Sequence, residues 1–515
     1  MTDTGADRGP EAGNEVPRVN VARIVEGHDP AGVALISRNH PITYAELTDQ
    51  AARMRGGLAR LGVAAGDRVA LICGNGHPFV IAYLAAVGLG AAVVPLNPTS
   101  PPAELERQLA VVGAVAVVVD RTAAASWRHV DRSGLGSIRQ VVAVDGDLPE
   151  GAIVLDELLA AEPLPVANVE PGHLAVLMFT AGTAGAPRAA MLTHGNLLAN
   201  LEQLGSTNRQ VGPDDVIYGA VPLYHILGLN VVLGYGLSVG ATVLLVQRFD
   251  PAAALESLRA RGVTVIPGVP ATWVAFAEFD AAPPDAFAGV HLALSGAAKL
   301  PVPVAERMRD RFGLTIAEGY GLTEASPVVT SSAGLEPRLG SVGKVLAGVE
   351  LRLVDANGED ALVGDVGEVW VRGPNVFAGY LDDPDATARV LTADGWLRTG
   401  DIGLCDDDGW LYLVDRAKDL VIVSGFNVHP AEVEEVLAQH PGIADVGVTG
   451  APDPRTGETV LAFVVREPGA DVSEDELIEL AHQQLARYKV PSRIVFVDEL
   501  PRNALGKLLR RELVV

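Results

Sequence analysis

Between residues 42 and 119, short apolar runs alternate with longer stretches that carry a polar face. Asp67-Arg-Val-Ala-Leu-Ile-Cys73, Ala91-Ala-Val-Val-Pro-Leu96 and Ala114-Val-Ala-Val-Val-Val119 are too short for helices and read as buried strands. Helices are predicted between them, over about 43–61, 78–88 and 99–112. The first opens on Thr43 with Glu46 three positions on, a capping-box spacing, and stops at Gly62. Leu174-Ala-Val-Leu-Met-Phe179 is a further buried strand. It ends at a loop of small residues, Thr180 to Ala186, then Pro187, Arg188 and a helix-like segment capped by Thr193 or Asn196. Strands at Val243–Val246, Val263–Ile266 and His291–Ser295 resume the pattern, with helices over 252–261 and 303–312. This alternation predicts an α/β fold of mostly parallel sheets with helices on their faces.

Past Gly340 the pattern changes to alternating strands with Asn-Gly and Asp-Gly turns, such as Asn357-Gly358 and Asp408-Gly409. A small antiparallel, barrel-like subdomain is expected over 340–415, closing a large N-terminal domain that spans 17–415. A compact α+β domain is expected over 416–515, with helices at 430–439 and 474–487 and strands at 445–449 and 460–465. Residues 1–16 are polar, lack the apolar core of a signal peptide and read as a disordered tail.

Composition narrows the function. A chain of 515 residues is expected to form two or more domains. Its formal net charge of −25 argues against a nucleic-acid binder or a polybasic membrane anchor. An anionic ligand must therefore be held by local cations and backbone dipoles. Two cysteines, Cys73 and Cys405, imply no disulfide framework, so a reducing cytoplasm is expected. The longest apolar runs, 82–96 and 231–246, are broken by glycines and fall short of the roughly 20 residues of a membrane-spanning helix.

The loop after Phe179 has the makings of a phosphate site. Glycines at 182 and 185 let the backbone turn tightly, hydroxyls at Thr180 and Thr183 and loop N–H groups can hold phosphate oxygens, and Arg188 supplies a cation. It is not a Walker A loop, because Gly185 is followed by Ala-Pro-Arg rather than Lys and a hydroxyl residue. It resembles the phosphate loop of the adenylate-forming (ANL) superfamily, in its acyl-CoA synthetase branch, usually written Y/F-T-S-G-T-T-G-x-P-K-G. Ala181, Ala184, Arg188 and Ala189 depart from that pattern. Further blocks match in the family's order. They are Pro222-Leu-Tyr-His225, Ser295-Gly-Ala-Ala298, Glu318-Gly-Tyr-Gly-Leu-Thr-Glu324, Trp396-Leu-Arg-Thr-Gly-Asp401, Asp415-Arg-Ala-Lys-Asp419 and Pro501-Arg-Asn-Ala-Leu-Gly-Lys507.

The resemblance implies a two-step reaction. A carboxylate attacks the α-phosphate of ATP, giving an acyl-adenylate and pyrophosphate, and a thiol then takes the acyl group. ATP, Mg²⁺ and coenzyme A are the implied cofactors. On this reading Thr323 contacts phosphate and Glu324 holds Mg²⁺, a metal normally bound through few protein carboxylates. Asp401 accepts from the ribose hydroxyls. Gly296, Ala297, Ala298, Tyr320 and Gly321 form the adenine slot, and Arg416 contacts ribose or phosphate. Lys507 bridges carboxylate and phosphate during adenylation. The small domain is expected to be mobile, with its hinge at 416–418 on Lys418, and to present Ser424, Gly425 and Phe426 to the pantetheine channel of coenzyme A.

His225 takes the place where amino-acid-activating relatives carry an aspartate, so an α-amino acid substrate is not expected. The resemblance puts His225 beside an acyl pocket lined by Leu227, Val231, Tyr235, Gly268, Val269, Gly319, Pro327 and Val328, apolar and rich in glycine. The lining suits a fatty or aryl carboxylate, and the expected substrate is an apolar carboxylic acid, foremost a medium- or long-chain fatty acid. An acyl-AMP ligase that loads a separate carrier protein, a non-catalytic nucleotide-binding relative and a homodimer stay open. Lys507→Ala is predicted to slow adenylation by about 10²–10³-fold, the cost of losing a transition-state donor. Thioester formation from supplied acyl-adenylate should survive. Equal loss of both half-reactions, measured separately, contradicts that role.

Overall fold

The computed structural model describes residues 19–144, 151–180, 188–207, 211–355, 357–416, 421–501, 508 and 510–513. Gly182, Thr183, Gly185, Lys418, Lys507 and the tail expected at 1–16 lie outside them, and Arg416 enters only as a backbone position.

Two sheets share one core. Among the described residues a seven-stranded sheet runs in the order 153–154, 140–143, 116–119, 68–72, 92–95, 174–180, 188–193. All its neighbours are parallel except the last pair. A nine-stranded sheet has parallel strands at its centre and antiparallel pairs at both edges. Helix His77–Leu89 is apolar on every side and buried from Phe79 to Gly88, as expected of a helix enclosed by protein. It shares a continuous core with Leu71 and Val93 of one sheet and Leu35 and Val243 of the other. The outer faces are closed separately. Helix Pro102–Val112 covers the seven-stranded sheet, and Pro251–Arg261, Pro270–Glu278 and Val302–Phe312 cover the nine-stranded one.

Local signals in the sequence are realised where they are strong. Helix Tyr44–Arg60 starts with the complete Thr43–Glu46 capping box. It buries Tyr44, Leu47, Ala51, Met54 and Leu58 along one face, the spacing of a helix packed on a core. The stretch after the phosphate loop adds a strand that the sequence pattern did not assign. Arg188–Thr193 is a strand, paired antiparallel to Leu174–Thr180 with Thr180 opposite Arg188. The helix begins at His194, as the Thr193 or Asn196 cap predicts, on a second capping box formed by Thr193 and Asn196. Ala, Met and Leu in Arg188–Thr193 favour helix. Pairing on both sides overrides them, because Met191 also exchanges backbone bonds with Ala378 and Gly379. Residues 181–187, outside the described residues, therefore join two antiparallel strands rather than a strand and a helix.

The β-rich segment is also more open than the barrel expected. Strands 350–354, 367–372, 397–405 and 411–416 form an antiparallel meander in chain order, and no described pairing joins its two outer strands. The C-terminal part has a core of its own, drawn from residues 421–494. Its sheet pairs Ile443–Asp453 with Gly457–Arg466 over ten residue pairs, and helices 430–437 and 474–484 pack beside it. No helix among the described residues is long and apolar enough to cross a membrane.

One carboxyl group is buried in the nine-stranded sheet. Glu318, on strand Ile316–Gly321, is 8% exposed and accepts the Leu300 N–H at 3.2 Å. Burial pushes its pKa up to about 7, with the Leu300 N–H and Lys299 opposing. Between the ordinary carboxylate range and that value the folded chain holds a proton that the unfolded chain has released, so stability falls as pH rises through this window. Glu318→Gln removes the titration and keeps an acceptor for Leu300. Relative to the unmodified chain, the variant is predicted to gain up to about 3 kcal/mol between about pH 5 and pH 8. A stability difference that does not change over this range contradicts a retained proton.

Candidate active site

The site is built around the turn that follows strand Ile316–Gly321. Gly321 lies so close to the returning chain that a Cβ there would sit 2.0 Å from the Pro327 carbonyl oxygen. The Leu322 N–H donates to that same oxygen at 3.0 Å. Between them Thr323–Ala325 makes one 3₁₀ turn. Three buried asparagines clamp it. Asn375 donates to Ala325 O at 2.8 Å, Asn230 donates to Ser326 O at 2.7 Å, and Asn200 both donates to and accepts from the Val328 backbone. Sequence reading missed all three. The available signal was an amide placed in an apolar segment, which is costly unless it is hydrogen-bonded.

Two side chains leave this turn in different directions. The Tyr320 hydroxyl donates to Asp401 Oδ2 at 2.7 Å, joining the core sheet to the meander. Arg416 stands opposite Asp401 on the neighbouring strand. Glu324 accepts a 2.6 Å hydrogen bond from the Tyr380 hydroxyl at Oε1. Burial, followed by the nearby Glu324 charge, raises the Tyr380 pKa, so this phenol remains a donor. Tyr380 was not singled out from the sequence, although its Phe377-Ala-Gly-Tyr380 setting pairs it with the hairpin through Ala190. The Arg188 guanidinium lies 5.9 Å from the Tyr380 ring and pairs with Asp383 Oδ2 at 3.1 Å. The Ala386 N–H, with Arg188 beside it, holds the Asp383 carboxyl below the usual range. Arg188, Thr323, Glu324, Tyr320, Gly321 and Asp401 are thus linked through this turn and its partners, with Thr180 paired to Arg188 at the end of the strand pair.

The expected adenine slot follows strand Leu292–Ser295. Ala297 adopts a left-handed φ of +67°, a conformation that costs an L-residue on the order of 1 kcal/mol and that tends to occur at functional sites. Leu227 borders Gly296, since a Cβ on Gly296 would meet the Leu227 side chain at 3.7 Å. Leu227 opens a π-helical stretch, Leu227–Tyr235, the wide helix form that recurs at binding sites. Val231 and Tyr235 from that stretch are only 8% exposed and belong to the main core. Gly319 and Pro327 are bound up with the turn itself, because a Cβ on Gly319 would lie 3.0 Å from Thr330 O. Of the residues expected to line the acyl pocket, Val231, Tyr235, Gly268 and Pro327 are buried, while Leu227, Val269, Gly319 and Val328 are half-buried. The cleft of about 220 Å³ lined by Arg55, Leu84 and Leu164 includes none of them.

The loop from the small domain is seated here. Ser424 and Gly425 have φ of +52° and +86°. A Cβ on Gly425 would stand 3.1 Å from the Val269 side chain and 3.2 Å from Ala297 Cβ, and the left-handed φ itself favours glycine. The Phe426 ring stacks on Tyr488 at 4.4 Å and on Tyr224 at 6.2 Å, and meets the edge of His225 at 5.6 Å. Burial lowers the His225 pKa to about 4. Its Nδ1 accepts the Leu227 N–H at 3.2 Å, which puts the proton of the neutral ring on Nε2. Among the described residues no three His, Cys, Asp or Glu side chains gather into a metal site. A single carboxylate such as Glu324 nevertheless fits Mg²⁺, which takes one or two protein ligands and completes its shell with phosphate and water.

Comparison with known proteins agrees with this geometry. The family model for AMP-binding enzymes matches residues 23–381, and that for the AMP-binding enzyme C-terminal domain matches 432–507. The chain is 36% identical over 487 residues to 4-coumarate–CoA ligase 3 of Oryza sativa subsp. japonica, covering 92% of this chain and 86% of that one. The structure of o-succinylbenzoate-CoA synthetase from Bacillus subtilis, bound to a product analogue, superposes with a TM-score of 0.84 at 32% identity, covering 96% of this chain and 98% of that one. The ATP-bound MatB structure from Rhodopseudomonas palustris has the same identity and coverage, with a TM-score of 0.72. The chain belongs to the AMP-binding enzyme family, the adenylate-forming superfamily that includes the acid–CoA ligases.

Proposed function

We propose that this AMP-forming acid–CoA ligase activates an apolar carboxylic acid, and that a flat aryl-substituted acid is preferred over a long-chain fatty acid. The observation that carries the chemistry is the meeting of Tyr320–Asp401 and Tyr380–Glu324 on one clamped turn, with the 424–426 loop alongside. The preference for a flat acid is supported by the burial of Val231 and Tyr235 and by the aromatic acids in the names of two of the relatives. This takes the aryl side of the fatty-or-aryl expectation, in which the fatty acid was put first on the strength of the glycines.

In the first step a carboxylate oxygen bonds to the α-phosphorus of ATP, and the bond to pyrophosphate breaks. Two anions have to meet, so cations and donors aimed at the phosphates carry the catalysis. Arg188, Thr180, Thr183, Thr323 and the loop N–H groups at Gly182 and Gly185 would hold the phosphates. Glu324 would hold Mg²⁺, which offsets phosphate charge. Tyr380 would fix the carboxylate of Glu324 in place. Asp401 would take the ribose hydroxyls while Tyr320 packs on adenine beside Gly296, Ala297 and Ala298. Arg416 and Lys507 would complete the first step, and Lys418 would serve as hinge. In the second step the thiol of coenzyme A bonds to the acyl carbon and AMP leaves. Ser424, Gly425 and Phe426 would guide the thiol, with neutral His225 lining the approach.

A panel of acids assayed for ATP-dependent pyrophosphate release tests the substrate class. Cinnamic-type acids are expected to exceed saturated C8–C16 acids by at least about tenfold in kcat/KM, a discrimination of roughly 1.4 kcal/mol. The reverse order contradicts the aryl preference, and absence of adenylate with every acid contradicts the enzyme. Tyr380→Phe is expected to lower adenylation by about tenfold and raise the Mg²⁺ concentration required, the effect of losing an orienting partner of a metal ligand. An unchanged Mg²⁺ dependence would show that Tyr380 does not position Glu324.

A further inference from the structure

One buried ion cluster spans the boundary between the large and small domains. Glu104, on helix Pro102–Val112 of the large domain, points into the small one. Its Oε1 is 2.7 Å from Lys489 Nζ, and its Oε2 accepts the Ala486 N–H at 2.7 Å. Lys489 Nζ also contacts Glu432 Oε1 at 2.8 Å, within the small domain. The side chains of Glu104, Lys489 and Glu432 are 4%, 7% and 13% exposed. One turn along the same helix, Gln108 donates to Glu104, while Arg107 donates to Gln484 O at 2.9 Å.

The cluster is asymmetric in a way that suits a reversible contact. Lys489 and Glu432 neutralise each other inside the small domain, whichever way that domain faces. On the other side, Glu104 is the carboxylate that meets Lys489, with Arg107 of the same helix bonded to Gln484 O, and Glu104 can return to water when the domains part. Burying it is unfavourable unless it is paired and hydrogen-bonded, and the contact supplies both a cation and a backbone N–H. The cluster also adjoins the site. Tyr488, next to Lys489, stacks on Phe426, which in turn packs on Tyr224 and His225.

We propose that Glu104 is a positioning residue for the thioester-forming step: by clasping Lys489 and the Ala486 N–H it holds the small domain where Phe426 and Gly425 meet the acyl site. The proposal rests on the two-step reading above. Glu104 itself touches no substrate, and the adenylation step does not use it.

Glu104→Gln keeps the shape and an acceptor for Ala486 but loses the charge, and Glu104→Lys sets a like charge against Lys489. Each half-reaction is measured alone, as pyrophosphate release without coenzyme A and as thioester formation from supplied acyl-adenylate. Thioester formation should fall about tenfold in Glu104→Gln and about 10²-fold or more in Glu104→Lys, as the clasped population shrinks. Pyrophosphate release should stay within about twofold, and the melting midpoint should be preserved. Acetic-anhydride labelling of Lys489, read by mass spectrometry, gives a measure independent of activity, with protection in the unmodified chain and faster labelling in both variants. Unchanged labelling, an unchanged thioester rate, or equal loss of both half-reactions overturns the clasp. If the unmodified chain makes neither adenylate nor thioester, the two-step reading fails, and the labelling still decides whether Glu104 holds the domain.

Discussion

The contact between Gly321 and the Pro327 carbonyl is the constraint on which the site depends. No side chain fits between these two backbones, so the chain reverses within a few residues and Tyr320 and Glu324 leave the same turn in different directions. Tyr320 reaches the meander at Asp401, and Glu324 meets Tyr380 beside the hairpin that bears Arg188. Three separate parts of the fold are thereby registered against one another by hydrogen bonds of about ordinary length. Asn200, Asn230 and Asn375 make the turn rigid by giving its carbonyls partners where water is excluded.

A chain of net charge −25 that has to bring a carboxylate to a triphosphate needs local compensation rather than a favourable overall field. The site supplies neutral donors at Tyr320 and Tyr380 and a cation at Arg188 whose carboxylate partner, Asp383, is partly exposed. The second step asks for different neighbours around the same acyl carbon. A small domain with its own core can change neighbours without unfolding, and the described boundary includes features suited to that. The ring stack at Phe426 and the Glu104–Lys489 pair are side-chain contacts that each domain can lose while keeping its own fold.

Much of this was legible in the sequence, for identifiable reasons. Capping boxes, apolar runs and hairpin dipeptides report local geometry, so the helix at Tyr44–Arg60 and the strands at 68–72 and 92–95 were placed within a few residues. The helix capped by Thr193 was legible, but the strand Arg188–Thr193 before it was not, because its helix-favouring residues are held extended by pairing with Phe179 on one side and Gly379 on the other. The meander was mistaken for a barrel because alternation reveals strands but not whether the outer two meet. Motif residues announced the turn at 318–324, whereas Tyr380, Glu104 and the three asparagines act through contacts made only in the folded chain. Pocket size was the least legible property, since Val231 and Tyr235 look alike in sequence whether they line a cavity or fill a core.

The most direct measurement of the central claim follows an oxygen atom. If the carboxylate attacks the α-phosphorus, one of its oxygens must stay on AMP when the thiol takes the acyl group. An accepted acid labelled with ¹⁸O in its carboxyl group, turned over with ATP and coenzyme A, should yield AMP carrying one ¹⁸O per thioester formed. Label in orthophosphate or pyrophosphate, or thioester formed with unlabelled AMP, contradicts an acyl-adenylate and with it the assignment of the site.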